Sequence, residues 1–341
     1  MSEVVMANIN DVCKLAGVSK ATVSRVINQN GQVKAATRDA VLAAMQQLGY
    51  QPNSLAQALA TKMSNAIGLL LPNFRSDYFG SVLHGAELGA QQAQKKLLVV
   101  NSKNSASGER EALDTLMMQR CDAILVYSRH LSEADLSELQ TRLDVPLIIL
   151  NRQLSATNLH SFGLDQYQLA STAMRHLCQL GHRNIACITS PLDSDTGTIR
   201  YSAYQHTLEE LGQTPDPNWV VEGDNTLLSG YRAAKTLIAS QQPFSAIFAC
   251  NDDMAIGAIR ALYDSGIRVP KDVSVIGIDN EPAAAYAIPS LSTVSLPISD
   301  LTEQAVSLAI RLANKLTSPA VHQCYRGELV ARESTRQHDA L

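Results

Sequence analysis

The 341-residue chain lacks any run of apolar residues approaching the roughly 18 that a membrane span requires. Its first residues, "MSEVVMANIN", contain no basic stretch followed by a long apolar segment, so they lack the pattern of an export signal. These two absences exclude a membrane-embedded protein and predict a cytoplasmic one with no membrane partner. A chain of this length exceeds the usual limit for one core, so two or three domains are expected.

The motifs of common catalytic and cofactor sites are also missing. No G-x-G-x-x-G follows a strand, and there is no Walker loop, nucleophile elbow or metal-ligand cluster. The cysteines form no C-x-x-C pair and have no histidine at zinc spacing, which predicts small buried thiols in a reducing compartment. The cysteines are Cys13, Cys121, Cys178, Cys187, Cys250 and Cys324. The sequence therefore predicts no catalytic residue, no metal and no cofactor.

Charge is divided unequally along the chain, although the net charge is only −4. Residues 1–62 carry six basic residues against three acidic ones, a net charge of +3, and the remainder carries 22 against 29, a net charge of −7. A small basic head on an acidic body suits a head that contacts phosphates.

The basic head has the pattern of a helix-turn-helix. Asn8 can cap a first helix that ends at Gly17, and Ser19 can cap a second helix running to about Ile27. Because one residue separates Gly17 from Ser19, two helices meet across a tight turn. A third helix, about 35–48, closes a small apolar core.

The second helix, within "GVSKATVSRVINQNGQV", leaves cationic and hydroxyl side chains outside its buried stripe. Taken alone, such a stripe indicates a solvated helix face. The tight turn, the positive charge and the short hydroxyl side chains together favour a helix presented to a DNA major groove.

The segments "INDVCKLAGVSKATVSRVINQNGQV" and "TRDAVLAAMQQLGYQPNSLAQALATKMSNAIG" resemble the N-terminal signature of the lactose/galactose repressor (LacI/GalR) family of bacterial transcription factors. The resemblance continues through "GHRNIA", "ACNDDMAIGAIRAL", "VPKDVSVIGIDN", "PSLSTVSLP" and "LVARES", so it covers nearly the whole chain. Within this family, "RCDAILVYSRHLS" is most similar to a regulator of an aryl-β-glucoside operon.

That resemblance implies DNA-binding roles for individual residues. Lys20 and Ala21 hold the positions that read operator bases, Arg25 holds the guanine-contacting position, and Thr22 and Ser24 face the backbone. One departure is Lys34, where the family usually has a serine that caps the third helix. The implied DNA-binding set is Ser19, Lys20, Ala21, Thr22, Ser24, Arg25, Asn28, Lys34, Thr37, Asn53, Ala56 and Leu59.

A short segment, "QPNSLAQALATK", follows the head. It contains good helix formers, but fewer than ten residues cannot form a stable helix alone in water. The segment is therefore predicted to be helical only with a partner and to be a linker without one. The resemblance implies a hinge that folds on operator DNA and pairs with its twin. In that role Leu59 enters the minor groove as an apolar wedge, and the small Ala56 lets the two helices approach.

The body alternates short apolar runs with amphipathic stretches, which indicates parallel sheets covered by helices on both faces. These runs are "AIGLLLPN", "KLLVVNS", "DAILVYS", "PLIIL", "NIACITS", "SAIFACN" and "VSVIGID". The predicted fold class is α/β, with two doubly wound parallel-sheet lobes after the helix-turn-helix head. Resemblance to the family implies a body like a periplasmic sugar-binding protein.

Ligands of such sheets bind beyond the carboxyl ends of the strands, where polar residues cluster in this sequence. Each Asp or Asn there could equally be a helix cap or a turn residue. The resemblance implies that Arg200 and Asp279 grip adjacent sugar hydroxyls. The full implied effector set is Tyr78, Phe79, Asn151, Asp165, Arg200, Asn251, Asp252 and Asp279, of which Asn251 and Asp252 could instead be structural.

Two positions depart from the family's common pattern. Asn225 stands where many sugar-responsive members have an aromatic residue, and Leu296 stands where several have glutamine. The histidine of "GHRNIA" is predicted to mark a helix terminus before a strand rather than a catalytic group.

The sequence predicts a repressor of a sugar-utilisation operon that binds a pseudo-palindromic operator as a homodimer and is controlled by a small sugar-like effector. The alternatives are a stand-alone sugar receptor and an α/β enzyme. Predicted domains are a head at 1–52, a hinge at 53–64 and an effector-binding body at 65–341. The first lobe spans about 65–163 and 294–323, and the second about 164–293 and 324–332.

Overall fold

A computed structural model describes residues 7–28, 32–51 and 63–338 of the chain. The described residues form two compact units that divide between Ala66 and Ile67. Most of the predicted hinge, including Asn53, Ala56 and Leu59, lies outside the described residues.

The first unit consists of helices α1 (Ile9–Ala16), α2 (Lys20–Ile27) and α3 (Ala35–Leu48). Helix α1 begins with a reciprocal capping box between Asn8 and Asp11, and it ends at Gly17, whose φ of 65° is the left-handed conformation that glycine adopts without strain. The predicted turn between α1 and α2 is therefore present.

A small apolar core joins these three helices. Val12, Val23, Val26, Val41 and Ala44 are buried there, with at least one from each helix. Val23 and Val26 lie on one side of α2, so the rest of that helix surface stays outside the core. Packing, rather than the helix propensity of eight residues, stabilises α2.

Two parallel sheets form the body, and each belongs to one lobe. The described residues of the first lobe form a six-stranded sheet of order β11-β5-β4-β3-β1-β2, and those of the second form a four-stranded sheet of order β7-β6-β8-β9. The strands are β1 (Ala66–Leu71), β2 (Lys96–Asn101), β3 (Ala123–Tyr127), β4 (Leu147–Leu150), β5 (His160–Leu164), β6 (Ile185–Thr189), β7 (Val220–Glu222), β8 (Ala246–Ala249), β9 (Ser274–Ile276), β10 (Thr293–Ser295), β11 (His322–Tyr325) and β12 (Glu328–Val330).

Helices cover both sheets. They are α4 (Asp77–Gln92), α5 (Ala106–Met118), α6 (Glu133–Arg142), α7 (Gln166–Gln179), α8 (Asp195–Glu209), α9 (Leu227–Ala239), α10 (Asp252–Asp264), α11 (Pro282–Tyr286) and α12 (Ile298–Ala313). Every residue of β1 and β3 is buried, because helices pack on both faces of the central strands. The predicted α/β class with two parallel-sheet lobes is confirmed.

The chain passes between the lobes after β5, between β9 and α12, and after β11. Strand β5 belongs to the first sheet and ends at Leu164, and β11 belongs to the same sheet and ends at Tyr325. Strands β10 and β12 pair with each other in an antiparallel ribbon.

The cysteines are free, and three of the six differ from the prediction of buried thiols, because Cys13 and Cys178 are only half-buried and one more is exposed. Cys121, Cys187 and Cys250 are buried, whereas Cys324 is exposed. Cys324 lies in β11, which is an edge strand of the first sheet, so helices do not enclose both of its faces. Within the described ranges, no helix is long and apolar enough to cross a membrane.

Candidate functional site

The surface predicted to bind DNA lies mainly on α2. Lys20, Ala21 and Arg25 are exposed, and Thr22 and Ser24 are half-buried. Cationic and small side chains therefore occupy the face that the apolar core leaves free. This placement is what a recognition helix requires, because base edges and phosphates must be reached from one side of the helix.

Hydrogen bonds within α2 orient the small polar side chains. The Ser19 hydroxyl accepts from the backbone N–H of Thr22 at 3.2 Å, and the two hydroxyls lie 2.9 Å apart. The Asn28 amide donates to the Ser24 hydroxyl at 3.2 Å. These contacts hold the groups in place before any phosphate contact.

The start of α3 shows the consequence of the lysine that replaces the usual serine. Lys34 holds the N-cap position, and its side chain forms no capping hydrogen bond. An ammonium has no acceptor for the helix N–H groups, so the departure from serine leaves this helix without a side-chain cap. The side chain is exposed, and Thr37 one turn later is half-buried.

In the body, a cavity of about 520 Å³ lies at the carboxyl ends of both sheets. Its wall includes residues from loops that follow strands of each lobe, such as Asn73 after β1 and Asn251 after β8. The volume falls in the range of pockets that bind small ligands. The structure thus brings Asn151, Asn251 and Asp279 of the predicted strand-end cluster together into one concave site.

Arg200 and Asp279 meet in this cavity. A guanidinium nitrogen of Arg200 lies 3.7 Å from a carboxylate oxygen of Asp279, and the two side chains are 6% and 11% exposed. Arg200 also donates to the Gln166 side-chain oxygen at 2.8 Å and to the backbone carbonyl of Cys250. The guanidinium is therefore fixed in direction, with its partners coming from three different segments.

A polar relay connects Arg200 to the first lobe. Gln166 donates to the Asn151 side-chain oxygen at 3.0 Å, and the Tyr78 hydroxyl donates to the same oxygen at 3.5 Å. Asn151 has a φ of 64°, a conformation that asparagine tolerates better than most residues. The relay makes both lobes parts of one hydrogen-bonded site.

Three aromatic rings form the apolar part of the cavity wall. Tyr78, Phe79 and Tyr127 contact one another edge to face, with ring centroids 5.1 to 6.0 Å apart. Tyr78 and Phe79 were predicted for this site, and Tyr127 was not. Burial raises the pKa of Tyr78 well above its usual value, so its hydroxyl stays a hydrogen-bond donor at neutral pH.

Asn225 and Asn251 also line the cavity. Asn251 caps α10 by accepting from the backbone N–H of Met254 at 3.0 Å, and its amide donates to the Asn225 carbonyl at 3.2 Å. The Ser190 hydroxyl donates to the Asn225 side chain at 2.5 Å. Here amide groups stand where an aromatic residue is common in the family, so this wall presents polar groups to the cavity.

Two of the predicted effector residues do not line the cavity. Asp252 is fully buried beneath it, where its carboxylate accepts from the backbone N–H of Glu281 at 2.9 Å and from the Thr293 hydroxyl at 2.6 Å. This carboxylate lies so close to Gly277 that a residue with a Cβ would not fit at that position. Asp252 therefore anchors the loop that carries Asp279, an arrangement that fits the structural alternative left open by the sequence.

Asp165 also lies outside the lining of the main cavity. It caps α7 by accepting from the backbone N–H of Gln168 at 2.9 Å, and it lies 3.7 Å from Arg326. It lines a smaller cavity of about 180 Å³, which adjoins the main cavity and shares five lining residues with it. Leu296, the other departure from the family pattern, packs against the hydrophobic core and does not line the main cavity.

Several lining residues were missed from the sequence. Arg129, Gln166, Asp253 and Glu281 all face the cavity. Arg129 comes two residues after strand β3, so the strand-end rule that found Asn151 could also have found it. Gln166 gave no separate signal, because a glutamine in the first turn of a helix is usually an exposed residue.

Three carboxyl groups crowd the second-lobe side of the cavity. Burial raises the pKa of Asp279 to about 7, against the lowering effect of Arg200. Burial, with repulsion from Asp279 and Asp253, raises the pKa of Glu281 to about 8. Burial also raises the pKa of Asp253. At neutral pH Asp279 and Glu281 are therefore only partly ionised.

This titration predicts a pH dependence of stability. The folded-state pKa of Asp279, about 7, lies above its ordinary value of 3.8. Between those values the native state holds a proton that the unfolded chain has lost, so the free energy of unfolding that Asp279 contributes falls as pH rises from about 4 to about 7. Urea denaturation of the wild type and of Asp279→Asn measures it as a difference between the two proteins.

Comparing the stabilities of the two proteins removes the opposing effect of histidine titration. Burial lowers the pKa of His160, His176 and His182, which makes stability rise with pH over part of the same range. Both proteins contain these histidines. Wild-type stability minus Asp279→Asn stability should therefore decline through the window, and a constant or rising difference would show that Asp279 titrates normally.

The histidine of "GHRNIA" lies between α7 and β6, as predicted. His182 is 2% exposed, and its ring nitrogens lie 2.9 Å from the Ser245 hydroxyl and 3.0 Å from the Ser274 hydroxyl. It is a buried structural residue outside the cavity. In the part of the chain that the structure describes, no three His, Cys, Asp or Glu side chains are placed to hold a metal ion.

Comparison with known proteins agrees with both parts of this geometry. Residues 8–53 match the family described as bacterial regulatory proteins, lacI family, and residues 174–335 match a periplasmic binding protein-like domain. The HTH-type transcriptional regulator AscG of Escherichia coli (strain K12) is 36% identical over 332 residues, which cover 96% of this chain and 98% of AscG.

Solved structures give the same result. The Lac repressor dimer bound to operator and the anti-inducer ONPF has a TM-score of 0.87 at 28% identity, covering 97% of this chain and 99% of that chain. The complex of the transcriptional regulator CelR with cellobiose has a TM-score of 0.71 at 28% identity, covering 96% and 99%. These relatives are transcriptional regulators, which confirms the prediction from the sequence of a regulator over an enzyme. The chain therefore belongs to the lacI family of bacterial regulatory proteins and is a transcriptional regulator with a helix-turn-helix head.

Proposed function

We propose that this regulator is a cytoplasmic repressor that binds a pseudo-palindromic operator as a homodimer and releases or retains it according to a sugar-like effector. The main observation in support of a sugar-like effector is the Arg200–Asp279 pair, whose nearest charged atoms lie 3.7 Å apart in a polar cavity of about 520 Å³. A guanidinium and a carboxyl side by side offer donors and acceptors to adjacent hydroxyl groups. Neighbouring hydroxyls on a ring are what distinguish sugars from most other small metabolites.

The aromatic and amide residues of the wall support the same class of ligand. Tyr78 and Phe79 offer an apolar surface to the ring carbons, and Asn151, Asn225 and Asn251 offer further polar contacts. A sugar has both kinds of surface. The complex of CelR with cellobiose is a related structure that holds a sugar, which adds support.

The DNA half of the proposal rests on the head. Lys20, Ala21 and Arg25 would contact base edges, Ser19, Thr22, Ser24, Asn28, Lys34 and Thr37 would contact the backbone, and Asn53, Ala56 and Leu59 would act in the hinge. The structure of the Lac repressor dimer on its operator supports this assignment by similarity. Because both lobes contribute to the cavity, an effector that binds one arrangement of the lobes better than another shifts the population toward it.

Footprinting of the purified protein on regulatory DNA from its own genome tests the DNA half. Protection of two symmetric half-sites is expected, because a twofold dimer places two recognition helices on one face of the duplex. Protection of a single half-site by a dimer would contradict the proposal. A thermal-shift screen against sugars tests the effector half, since a ligand selective for the native state raises the melting temperature.

A further inference from the structure

The cavity wall contributed by the first lobe is basic. Arg75, Lys103 and Arg129 line it, and the part of that wall that the structure describes contains no acidic residue. The three side chains follow strands β1, β2 and β3 respectively, at a distance of two to four residues. Since the carboxyl ends of parallel strands share one edge of a sheet, three separate loops bring positive charge to the same place.

None of these three cations has an ion-pair partner among the described residues. Arg129 donates to the Asn104 side chain at 3.3 Å, and its guanidinium lies 5.6 Å from the ring centroid of Phe79. Arg152, by contrast, is paired with Asp195 at 3.1 Å. Like charges collected in a concave site repel one another, so an anion placed among them is favoured.

The loop that carries Arg129 is held in place. The fully buried carboxylate of Glu109 accepts from the Ser128 hydroxyl at 2.6 Å and from the backbone N–H groups of Arg129, His130 and Leu131 at 2.7, 3.0 and 3.2 Å. Such a loop is preorganised, and Arg129 keeps its position over the aromatic rings without a ligand. The part of the basic wall that Arg129 contributes is therefore built into the cavity.

The opposite wall does not cancel this charge. Its acidic residues, Asp224, Asp253, Asp279 and Glu281, belong to the second lobe, where Arg200 already faces Asp279. Burial and mutual repulsion raise the pKa of Asp279 to about 7 and that of Glu281 to about 8, so these two are only partly ionised at neutral pH. The positive charge of the cavity is therefore concentrated on the first-lobe side, away from these carboxyls.

We propose that the effector is a sugar phosphate, whose phosphate monoester binds Arg129, Lys103 and Arg75 while its sugar hydroxyls contact Arg200 and Asp279. This inference rests on the proposed function of the cavity as the effector site. A phosphate monoester carries a charge near −2 at neutral pH and three terminal oxygens, which match three cationic side chains on three loops. A carboxylate, with one charge and two oxygens, matches one arginine.

The test is isothermal titration calorimetry of the full chain with matched sugar pairs. Glucose, mannose, galactose and cellobiose are each compared with the corresponding 6-phosphate, and glucuronate provides the carboxylate. The cognate phosphate should bind at least about tenfold tighter than its neutral partner, as expected for charge-assisted hydrogen bonds in a partly enclosed site. Arg129→Gln should reduce the affinity for the phosphate about tenfold or more and change that for the neutral sugar less than about twofold.

Lys103→Gln and Lys96→Gln form a matched pair. Both remove one positive charge from an exposed lysine, but Lys103 follows the carboxyl end of β2 and Lys96 begins that strand at the opposite edge of the sheet. Only Lys103→Gln should weaken binding of the phosphorylated sugar. An equal effect of the two variants would assign the change to overall charge and overturn the site.

The remaining outcomes separate this inference from the proposed function. If neutral sugars bind and their phosphates bind no better, or if Arg129→Gln weakens both alike, the phosphate site is wrong and the effector site stands. If glucuronate binds as tightly as the phosphates, the preference for phosphate is wrong. If no sugar of either kind binds a protein that still binds operator, both proposals fail.

Discussion

Replacing Arg200 with alanine is expected to weaken effector binding by about 30- to 1000-fold. The substitution removes a charged donor with several N–H groups from the ligand and leaves Asp279 without its partner at 3.7 Å. Truncating one member of a buried, hydrogen-bonded charge pair costs roughly 2–4 kcal/mol, and each 1.4 kcal/mol is tenfold in affinity. Calorimetry with the ligand found by the thermal-shift screen measures the loss.

The same substitution leaves other groups unpaired, so its effect on folding has to be measured separately. Arg200 donates to Gln166 and to the carbonyl of Cys250, and both acceptors are buried. Arg200→Lys keeps the charge near Asp279 but loses the planar fork, and an intermediate loss of affinity is expected. Operator binding without effector should survive in both variants. Unchanged effector affinity in a folded Arg200→Ala protein would remove Arg200 from the site.

Raising the salt concentration from 50 to 200 mM is expected to weaken operator binding by about 10³- to 10⁵-fold. This range corresponds to six to ten phosphate contacts by the dimer, with a slope of log affinity against log salt near −0.9 for each phosphate neutralised. The basic charge available to each head includes the exposed side chains of Lys20, Arg25 and Lys34. Filter binding at four or more salt concentrations gives the slope, and salt-insensitive binding would contradict the model.

Single substitutions in the head should separate base contacts from phosphate contacts. Arg25→Ala is expected to cost about 1–3 kcal/mol on the correct operator and to relax preference at one base pair. Lys34→Ala should weaken binding to all sequences alike and reduce the salt slope by about one. Lys14→Ala, an exposed lysine in the last turn of α1, is the matched control and should change neither specificity nor slope. If Arg25→Ala leaves base preference intact, the guanine contact is assigned to the wrong residue.

Local patterns were sufficient for the head. Asn8, Gly17, Ser19 and Gly49 mark the ends of the three helices where the sequence predicts them, because caps and left-handed turns depend on a few neighbouring residues. Periodicity also placed Val23 and Val26 in the core. The exposed face of α2 follows directly from those assignments.

In the body, local sequence patterns predict the strands and the position of the candidate site, but they do not predict which side chains line the cavity. Short apolar runs predicted buried parallel strands, and the rule of strand carboxyl ends placed Asn151, Asn251 and Asp279 near one another. Asp165 and Asp252 satisfy the same rule but do not line the main cavity. Which of two neighbouring side chains points into a cavity depends on the turn after the strand. The periodicity of the sequence does not predict this direction.

The sequence by itself determined the fold class, the helix-turn-helix and the strand-end location of the ligand site, because these depend on residue type and spacing within one element. Only the tertiary structure decided that Arg200 is fixed by Gln166 and Cys250 and that Asp252 lies beneath the site. It also decided that Arg75, Lys103 and Arg129 form one basic wall. Each of these facts joins segments distant in the chain, and it depends on how two sheets and their crossings place the ends of separate strands together.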